Sequence, residues 1–264
     1  MHARDRHRLI ERAAAEQGLV TVEELTERLG ASPATVRRDL AVLAEHGRLR
    51  RVRGGVEPVR LQPKATLLTP PFQAASFLRR EAKLRIAQRA AEHCVAGESI
   101  IVNGGTTTYC MADFVAPMGL NLLTNSFPLA SHLLSTGSCR VTVPGGEVYR
   151  EQNVIVSAYE QDTAIDRFYA SKMFTGAQSI RAQGLIEGDP LLIKTEQKLL
   201  KQADELIVLV DGSKFEPRGS LILCPLERIA LLITDASAPS AAVEMLRQHG
   251  VRVEVVGEDD HAAR

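Results

Sequence analysis

The sequence predicts an α/β protein in two parts. Residues 1–57 form a winged helix-turn-helix, and residues 81–257 form a mainly parallel α/β domain. Three observations predict this. Apolar residues at helical spacing run into an arginine-rich stretch with paired glycines; a proline-rich stretch without sustained period follows; beyond it, short apolar runs alternate with helical patterns. Nearly continuous apolar runs separated by helices imply a parallel sheet covered on both faces.

In the first part, "RHRLIERAAAEQG" places Leu9, Ile10 and Ala13 or Ala14 at helical spacing and stops at Gly18. "VTVEELTERLG" starts a second helix near Thr21, with Val22, Leu25 and Leu29 on one face and Gly30 as the stop. A third helix begins at Ser32, an N-cap followed by Pro33. The missing N–H of proline is harmless at the first helical position. Val36, Leu40 and Leu43 recur at i, i+4 and i+7, and Gly47 ends the helix. Only "GAS" separates the second and third helices, the spacing of a helix-turn-helix. "RLRRVRGGVEPV" then alternates arginine with Leu49 and Val52, and Gly54 and Gly55 can turn the chain, which makes a β-hairpin wing.

Residues 58–80 contain Pro58, Pro63, Pro70 and Pro71 and read as a linker with room for one anchored stretch. From residue 81, "KLRIAQRAAEHC" is a helix, "SIIVN" a strand, "TTTYCMADFV" a helix, "LNLLTN" a strand and "FPLASHLLS" a helix. "CRVTVPGG" and "KMFTG" are strands, "KTEQKLLKQAD" is a helix, and "ELIVLVD", "IALLITD" and "VRVEVV" complete the sheet, leaving 258–264 as a tail.

Composition narrows the function. With 45% apolar and 24% charged residues in 264, the chain has the balance of a soluble globular protein. No segment approaches the ~20 apolar residues that cross a bilayer, and the charged N-terminus carries no secretory signal pattern. A cytoplasmic protein with no membrane partner is expected. Cys94, Cys110, Cys139 and Cys224 lie far apart, without ligand spacing, so reduced thiols, no metal and no cofactor are expected. The absence of Trp and a 4% aromatic content argue against stacking on single-stranded nucleic acid.

Charge is balanced overall, 32 basic against 32 acidic residues, but polarised locally. Residues 1–60 hold twelve arginines, no lysine and nine acidic residues, a net of +3. Arg37 and Arg38 fall in the first turns of the third helix, the end that enters the major groove of duplex DNA. A guanidinium there can fork onto guanine or clamp a phosphate. Ser32, Thr35 and the free N–H groups of the helix start suit phosphate contact. Arg48, Arg50, Arg51 and Arg53 lie in the wing, along the backbone or toward the minor groove. An arginine run by itself reads equally as a solvated face; the GAS turn, the Ser-Pro helix start and the Gly-Gly wing turn the balance to double-stranded DNA.

"LVTVEELTERLGASPATVRRDLAVLAEHGRLRRVRGGV" resembles the N-terminal domain of the DeoR family of bacterial repressors, most specifically in "TVRRDL" followed by "RGG". Arg53 stands where many members have His.

In the second part, "NGGTTT" links a strand to a helix with Gly104, Gly105 and three hydroxyl residues, including Thr106 and Thr107. Backbone N–H groups at such a turn cradle phosphate. "TNS" with Thr124 and Asn125, "PGGE" with Gly145 and Gly146, "FTGAQ", "TEQK" with Lys198 and "DGSK" with Lys214 also fall at strand ends or helix starts. Each alone reads as a cap, a turn or a solvated lysine. Together, on the rim where open α/β sheets bind ligands, they point to one anionic-ligand site.

These motifs, in order, resemble the DeoR sensor domain, itself similar to the ribose-5-phosphate isomerase fold. The resemblance implies a phosphorylated sugar or sugar acid as effector. It puts Gly105, Thr106 and Thr107 near phosphate, Lys198 and Lys214 as charge partners, and Asn125 and Gly146 on the sugar. Ser171 and Gln178 replace acids of the commoner family form, and this variant resembles the L-ascorbate utilisation branch, which makes a phosphorylated ascorbate-like acid one candidate.

A DNA-binding transcription repressor of a carbohydrate-utilisation operon, released by its effector, is expected, as a homodimer or homotetramer. Paired helix-turn-helix units read half-sites about 34 Å apart. Two alternatives remain. An activator shares the same ligand logic. A sugar-phosphate isomerase needs a carboxylate base; "TGAQS" offers none, and the pattern gives no position to Glu147 or Glu187.

Overall fold

A computed structural model of the chain describes residues 3–17, 20–45, 49–52, 55–58, 71–157 and 163–257. Its contacts separate into two units, Met1–Lys64 and Ala65–Arg264.

The first unit runs α1 (Ala3–Gln17), β1 (Val20–Thr21), α2 (Val22–Leu29), α3 (Pro33–Glu45), β2 (Leu49–Val52) and β3 (Gly55–Pro58). Thr21 caps α2 as expected from its residue type: its hydroxyl accepts from the Glu24 N–H at 3.2 Å while the Glu24 carboxylate accepts from the Thr21 N–H at 2.8 Å. Gly30 ends α2 in the left-handed region, at φ 56°, where a side chain would be strained. Ser32 caps α3, its hydroxyl accepting from the Thr35 N–H at 3.2 Å. Most of the apolar face read from spacing is the core: Ile10, Leu25, Val36, Leu40 and Leu43 are buried, each side chain contributing about 1.5–3 kcal/mol, whereas Leu9, expected beside Ile10, is exposed and Val22 is half-buried against the cluster. The wing hairpin β2–β3 is antiparallel and gains a third strand, β1, in the order β1-β3-β2. Two residues are too few to show alternation, so β1 leaves no trace in the sequence pattern. Gly47, which the sequence makes the stop of the third helix, and the wing-turn residue Gly54 lie outside the described residues.

The second unit begins with α4 (Phe72–Phe77) and α5 (Arg80–Ala91), then β4 (Ser99–Val102), α6 (Thr106–Tyr109), α7 (Ala112–Val115), β5 (Asn121–Leu123), α8 (Phe127–Thr136) and β6 (Arg140–Thr142). It continues with β7 (Glu147–Tyr149), β8 (Val154–Val156), α9 (Thr163–Asp166), β9 (Ala170–Thr175), β10 (Ser179–Arg181), β11 (Gly184–Glu187) and α10 (Pro190–Leu200). It closes with β12 (Ala203–Leu209), β13 (Leu221–Cys224), β14 (Ile229–Asp235), α11 (Ser240–Gln248) and β15 (Arg252–Val256). Seven strands form one sheet in the order β15-β14-β12-β9-β4-β5-β6, every pairing parallel. Two apolar clusters cover it, one around Met173, Leu206 and Leu232, the other around Ile100, Leu122 and Phe174.

Several elements differ from the sequence expectation. The single helix expected over 106–115 divides into α6 and α7. The helix expected from Lys194 starts four residues earlier, because Asp189 caps it, accepting from the Leu191 N–H at 2.8 Å, and Pro190 takes the first position. It also ends at Leu200, so Ala203 and Asp204 belong to β12. The stretch read as linker holds α4 and the start of α5. Helix α11, the hairpin β7–β8 and the antiparallel sheet β10-β11-β13 were not anticipated; strands of three or four residues are too short for a periodic signal.

No described helix is long and apolar enough to cross a membrane. The four cysteines are free thiols.

Candidate functional site

Each unit presents one candidate site. In the first, the N-terminal end of α3 shows Ser32, Arg37 and Arg38 exposed and Thr35 half-buried. Among the described residues neither Arg37 nor Arg38 has an ion-pair partner, so both guanidinium forks are available. The next residue points the other way. Asp39 is 5% exposed and accepts from the Arg6 Nε at 2.7 Å, with His7 Nε2 at 3.1 Å from its other oxygen. Burial would raise the Asp39 carboxyl, but Arg6 and His7 outweigh it and hold it below its ordinary value. In "RRD", the Asp is thus an internal strut tying α3 to α1. Sequence reasoning missed it, because a carboxylate following two arginines looks like a local charge pair. Arg50 and Arg51 sit on β2; Arg48 and Arg53 fall outside the described residues.

In the second unit, a cavity of about 110 Å³ opens at the carboxyl ends of the parallel strands. The loop after β4 supplies Asn103, Gly104, Gly105, Thr106 and Thr107 to its wall. Asn125, from the loop after β5, holds that loop in place, its Oδ1 accepting from the Gly104 N–H at 2.7 Å. Gly104 has to be glycine because a Cβ would overlap Val154, another wall residue. The first N–H groups of α6 have no helical acceptor of their own and sit at this wall. Lys214, from the turn after β12, completes the cationic side. Burial lowers its ammonium below the ordinary lysine value, partly offset by Asp211, and among the described residues its Nζ has no hydrogen-bond or ion-pair partner.

Four other residues expected here lie elsewhere. Thr124 is fully buried and its hydroxyl accepts from the Ser126 N–H at 3.0 Å, a turn role. Gly145 and Gly146 are exposed at the entry to β7, and Gly146 lets the hairpin approach the Val156 carbonyl, where a Cβ would clash. Lys198 is half-buried on α10 and does not line the cavity. It lies two positions beyond Glu196, more than half a turn around the helix. These four correct the expectation of a single rim: identical Gly and Lys signals can serve turns and helix faces.

The structure adds residues that spacing did not single out. Glu196 and Glu187 both line the cavity, 7% and 8% exposed. The Asn103 Nδ2 donates to the Glu196 Oε1 at 2.7 Å and to the Thr175 Oγ1 at 2.9 Å. Burial, reinforced by Glu187, raises the Glu196 carboxyl to about 8. Burial also raises Glu187, against backbone N–H donors at Gly188 and Asp189. The cavity therefore holds two carboxyls, although "TGAQS" has none; Glu147 is exposed on β7. Gln178 reaches the same wall, and both Gly188 and Gly219 leave room for its amide, since a Cβ at either would strike Gln178 Oε1.

Phe72 and Ala75 of α4 also line the cavity. Their helix is pinned by the Phe72 N–H donating to the Glu151 carbonyl at 2.8 Å and by Lys83 Nζ donating to the Ala75 carbonyl at 2.6 Å. Lys83 is 3% exposed, and burial depresses its ammonium. A Phe isolated among prolines carried the only sequence signal for this wall.

Two family models match the chain. The DeoR-like helix-turn-helix domain covers residues 6–60, and the DeoR C terminal sensor domain covers residues 78–236. The HTH-type transcriptional regulators UlaR of Shigella dysenteriae serotype 1 (strain Sd197) and of Escherichia coli (strain SMS-3-5 / SECEC) are each 33% identical over 250 residues, 94% of this chain and 97% of theirs. Among solved structures, the full-length sorbitol operon regulator SorC from Klebsiella pneumoniae is 12% identical, covering 86% of this chain and 94% of that one, with a TM-score of 0.40. Ribose 5-phosphate isomerase A from Methanocaldococcus jannaschii is 19% identical, covering 51% of this chain and 54% of that one, with a TM-score of 0.37.

Proposed function

The chain belongs to the DeoR family, and from that premise we propose that it is a transcription repressor whose first unit binds an operator and whose second unit releases it on binding a phosphorylated sugar or sugar acid. Arg37 and Arg38 contact base edges or phosphates in the major groove, Ser32 and Thr35 contact the backbone, and the wing arginines follow the adjacent strand. The effector phosphate sits against the N–H groups and hydroxyls of Gly105, Thr106 and Thr107, with Lys214 as its counter-charge. Effector binding shifts the population from DNA-competent to DNA-incompetent arrangements. The protein acts in the cytoplasm as a homodimer or homotetramer, which matches paired half-sites.

One observation carries the proposal. A single chain joins a recognition-helix end bearing two exposed guanidinium groups, unpaired among the described residues, to a cavity whose wall gathers Gly104–Thr107, Asn125 and Lys214. The test is operator binding followed by fluorescence anisotropy on the DNA upstream of the neighbouring operon, with and without sugar phosphates. Tight binding reversed by one of them is expected; binding indifferent to all of them would contradict it. An activator would show the same release with the opposite sign in a reporter assay.

The isomerase alternative gains one observation, the two carboxyls in the cavity. A coupled assay for aldose–ketose conversion tests it, and no turnover is expected, because the wing arginines serve no step of that reaction.

A further inference from the structure

Helix α4 covers one wall of the cavity, yet little in its own sequence holds it there. Its six residues are too few for a helix stable alone in water. Pro71 offers it no side-chain cap, and none of its residues is fully buried. Gln73, Ala74 and Phe77 are exposed, so α4 rests on the domain through one face, which presents Phe72 and Ala75 to the cavity.

Three contacts hold that face down. The Phe72 N–H donates to the Glu151 carbonyl at 2.8 Å. The Phe72 ring meets Tyr109 of α6 edge-on, with centroids 5.6 Å apart. The Lys83 Nζ donates to the Ala75 carbonyl at 2.6 Å. This last donor is chemically unusual. Lys83 is 3% exposed, and among the described residues its ammonium has no carboxylate at ion-pair distance. A cation is poorly placed away from water when a single carbonyl is its partner.

The turn after α4 is strained. Arg79 sits in the left-handed region at φ 52°, which residues with a side chain rarely visit. Its guanidinium braces the turn, Nη1 donating to the Ser237 Oγ at 2.7 Å and Nε lying 3.7 Å from the Asp211 Oδ1. Asp211 also caps the turn that carries Lys214. The support of α4 and the cation of the cavity therefore share one anchor. Backbone strain of this kind persists only where the surroundings over-determine it.

We propose, resting on the reading of the cavity as the effector site, that α4 is the latch through which an occupied cavity acts on the chain leading back to the first unit. Phe72 and Ala75 close on the ligand, Lys83 holds them closed, and Arg79 is the hinge. Among the described residues α4 is the first element after the wing strand β3, so a change in its seating reaches the segment that joins the units. Charge supplies the bias. Lys83 faces Asp211, Lys214 and the Cys110 thiol, and burial lowers its ammonium. A phosphate beside Lys214 opposes that effect, favours the charged lysine and strengthens its bond to Ala75. The ligand thus shifts the population toward the seated latch. Lys83 does not line the cavity; it is a positioning residue.

The experiment compares the full-length parent, Lys83→Met and Arg79→Gly, with ribose 5-phosphate, a phosphorylated ascorbate and inorganic phosphate as probes. Calorimetry reads probe binding, anisotropy reads operator affinity at saturating probe, and hydrogen exchange reads the amides of residues 72–78. In the parent, a bound probe slows exchange in α4, and the sugar phosphate that binds lowers operator affinity by about tenfold or more. Lys83→Met keeps the parent's operator affinity without probe and still binds the probe, but at saturation its operator affinity changes by less than about threefold and exchange in α4 does not slow. Arg79→Gly, which relieves the strain and removes the brace, separates binding from release in the same way and is read if Lys83→Met fails to fold. A purely structural lysine would raise the probe concentration needed without shrinking release at saturation. Full release at saturation in both variants, or exchange in α4 that a bound probe leaves unchanged, overturns the latch while the cavity stands as the effector site. A parent that binds no probe, millimolar inorganic phosphate included, removes the effector site and the latch together.

Discussion

The two units use charge in opposite ways. In the first, Arg37 and Arg38 stand exposed on a helix end and, among the described residues, unpaired, where water bears their charge until a polyanion displaces it. In the second, Glu187 and Glu196 are withdrawn from water to under a tenth exposure and Lys214 is half-buried, and all three line the cavity, so their protonation and partners depend on what fills it. A surface site works by the number of charges it carries. A cavity works by the balance among a few. The first grades affinity smoothly; the second discriminates.

Salt should break the symmetry most visibly. Operator affinity should fall by about a thousandfold between roughly 50 and 200 mM salt if the wing and α3 neutralise several phosphates, while effector binding in the cavity changes far less. A shallow slope in an operator titration would argue against phosphate contacts. Next in size, Thr107→Ala and Lys214→Ala should abolish release by the effector yet leave operator affinity unchanged, as measured by anisotropy with and without ligand. Retained release in both variants would mean that the phosphate lies elsewhere. Arg37→Ala should weaken operator binding by about 1–3 kcal/mol if the side chain reaches a base edge, with no change in effector affinity.

The smallest effect concerns stability. Burial holds the Glu196 carboxyl up at about 8, so above its ordinary value the folded chain keeps a proton that the unfolded chain has released. The unfolded state binds fewer protons there, and stability falls as pH rises through that window. Thermal melts should show the decline in the ligand-free protein, and Glu196→Gln should flatten it. Asp39 behaves inversely: its carboxyl is held low, so its contribution is present at neutral pH and lost as pH falls through the acid range.

The same contrast explains how far the sequence could be read. Helix ends that depend on local chemistry, such as Thr21, Gly30 and Ser32, stand where residue type and spacing put them. So do the parallel strands, whose apolar runs need no partner to be recognised. The cavity was half legible: Gly104 to Thr107, Asn125 and Lys214 converge, because glycine and hydroxyl residues after a strand have a local meaning. Lys198, Gly145 and Gly146 share those signals and serve elsewhere. Glu196 could not be assigned, since its role comes from burial beside Asn103 and Glu187, residues 93 and nine positions away. Asp39 was hidden for the same reason, its partners lying 33 and 32 positions off.

The most direct test crosses the two sites in one assay. Operator affinity is measured for the parent chain, Arg37→Ala and Lys214→Ala, each with and without the best-binding sugar phosphate. Arg37→Ala should bind operator weakly but still bind the sugar phosphate normally, whereas Lys214→Ala should bind operator like the parent and ignore the ligand. If Lys214→Ala is released as readily as the parent, or Arg37→Ala holds operator as tightly, the division of labour between the two units is wrong.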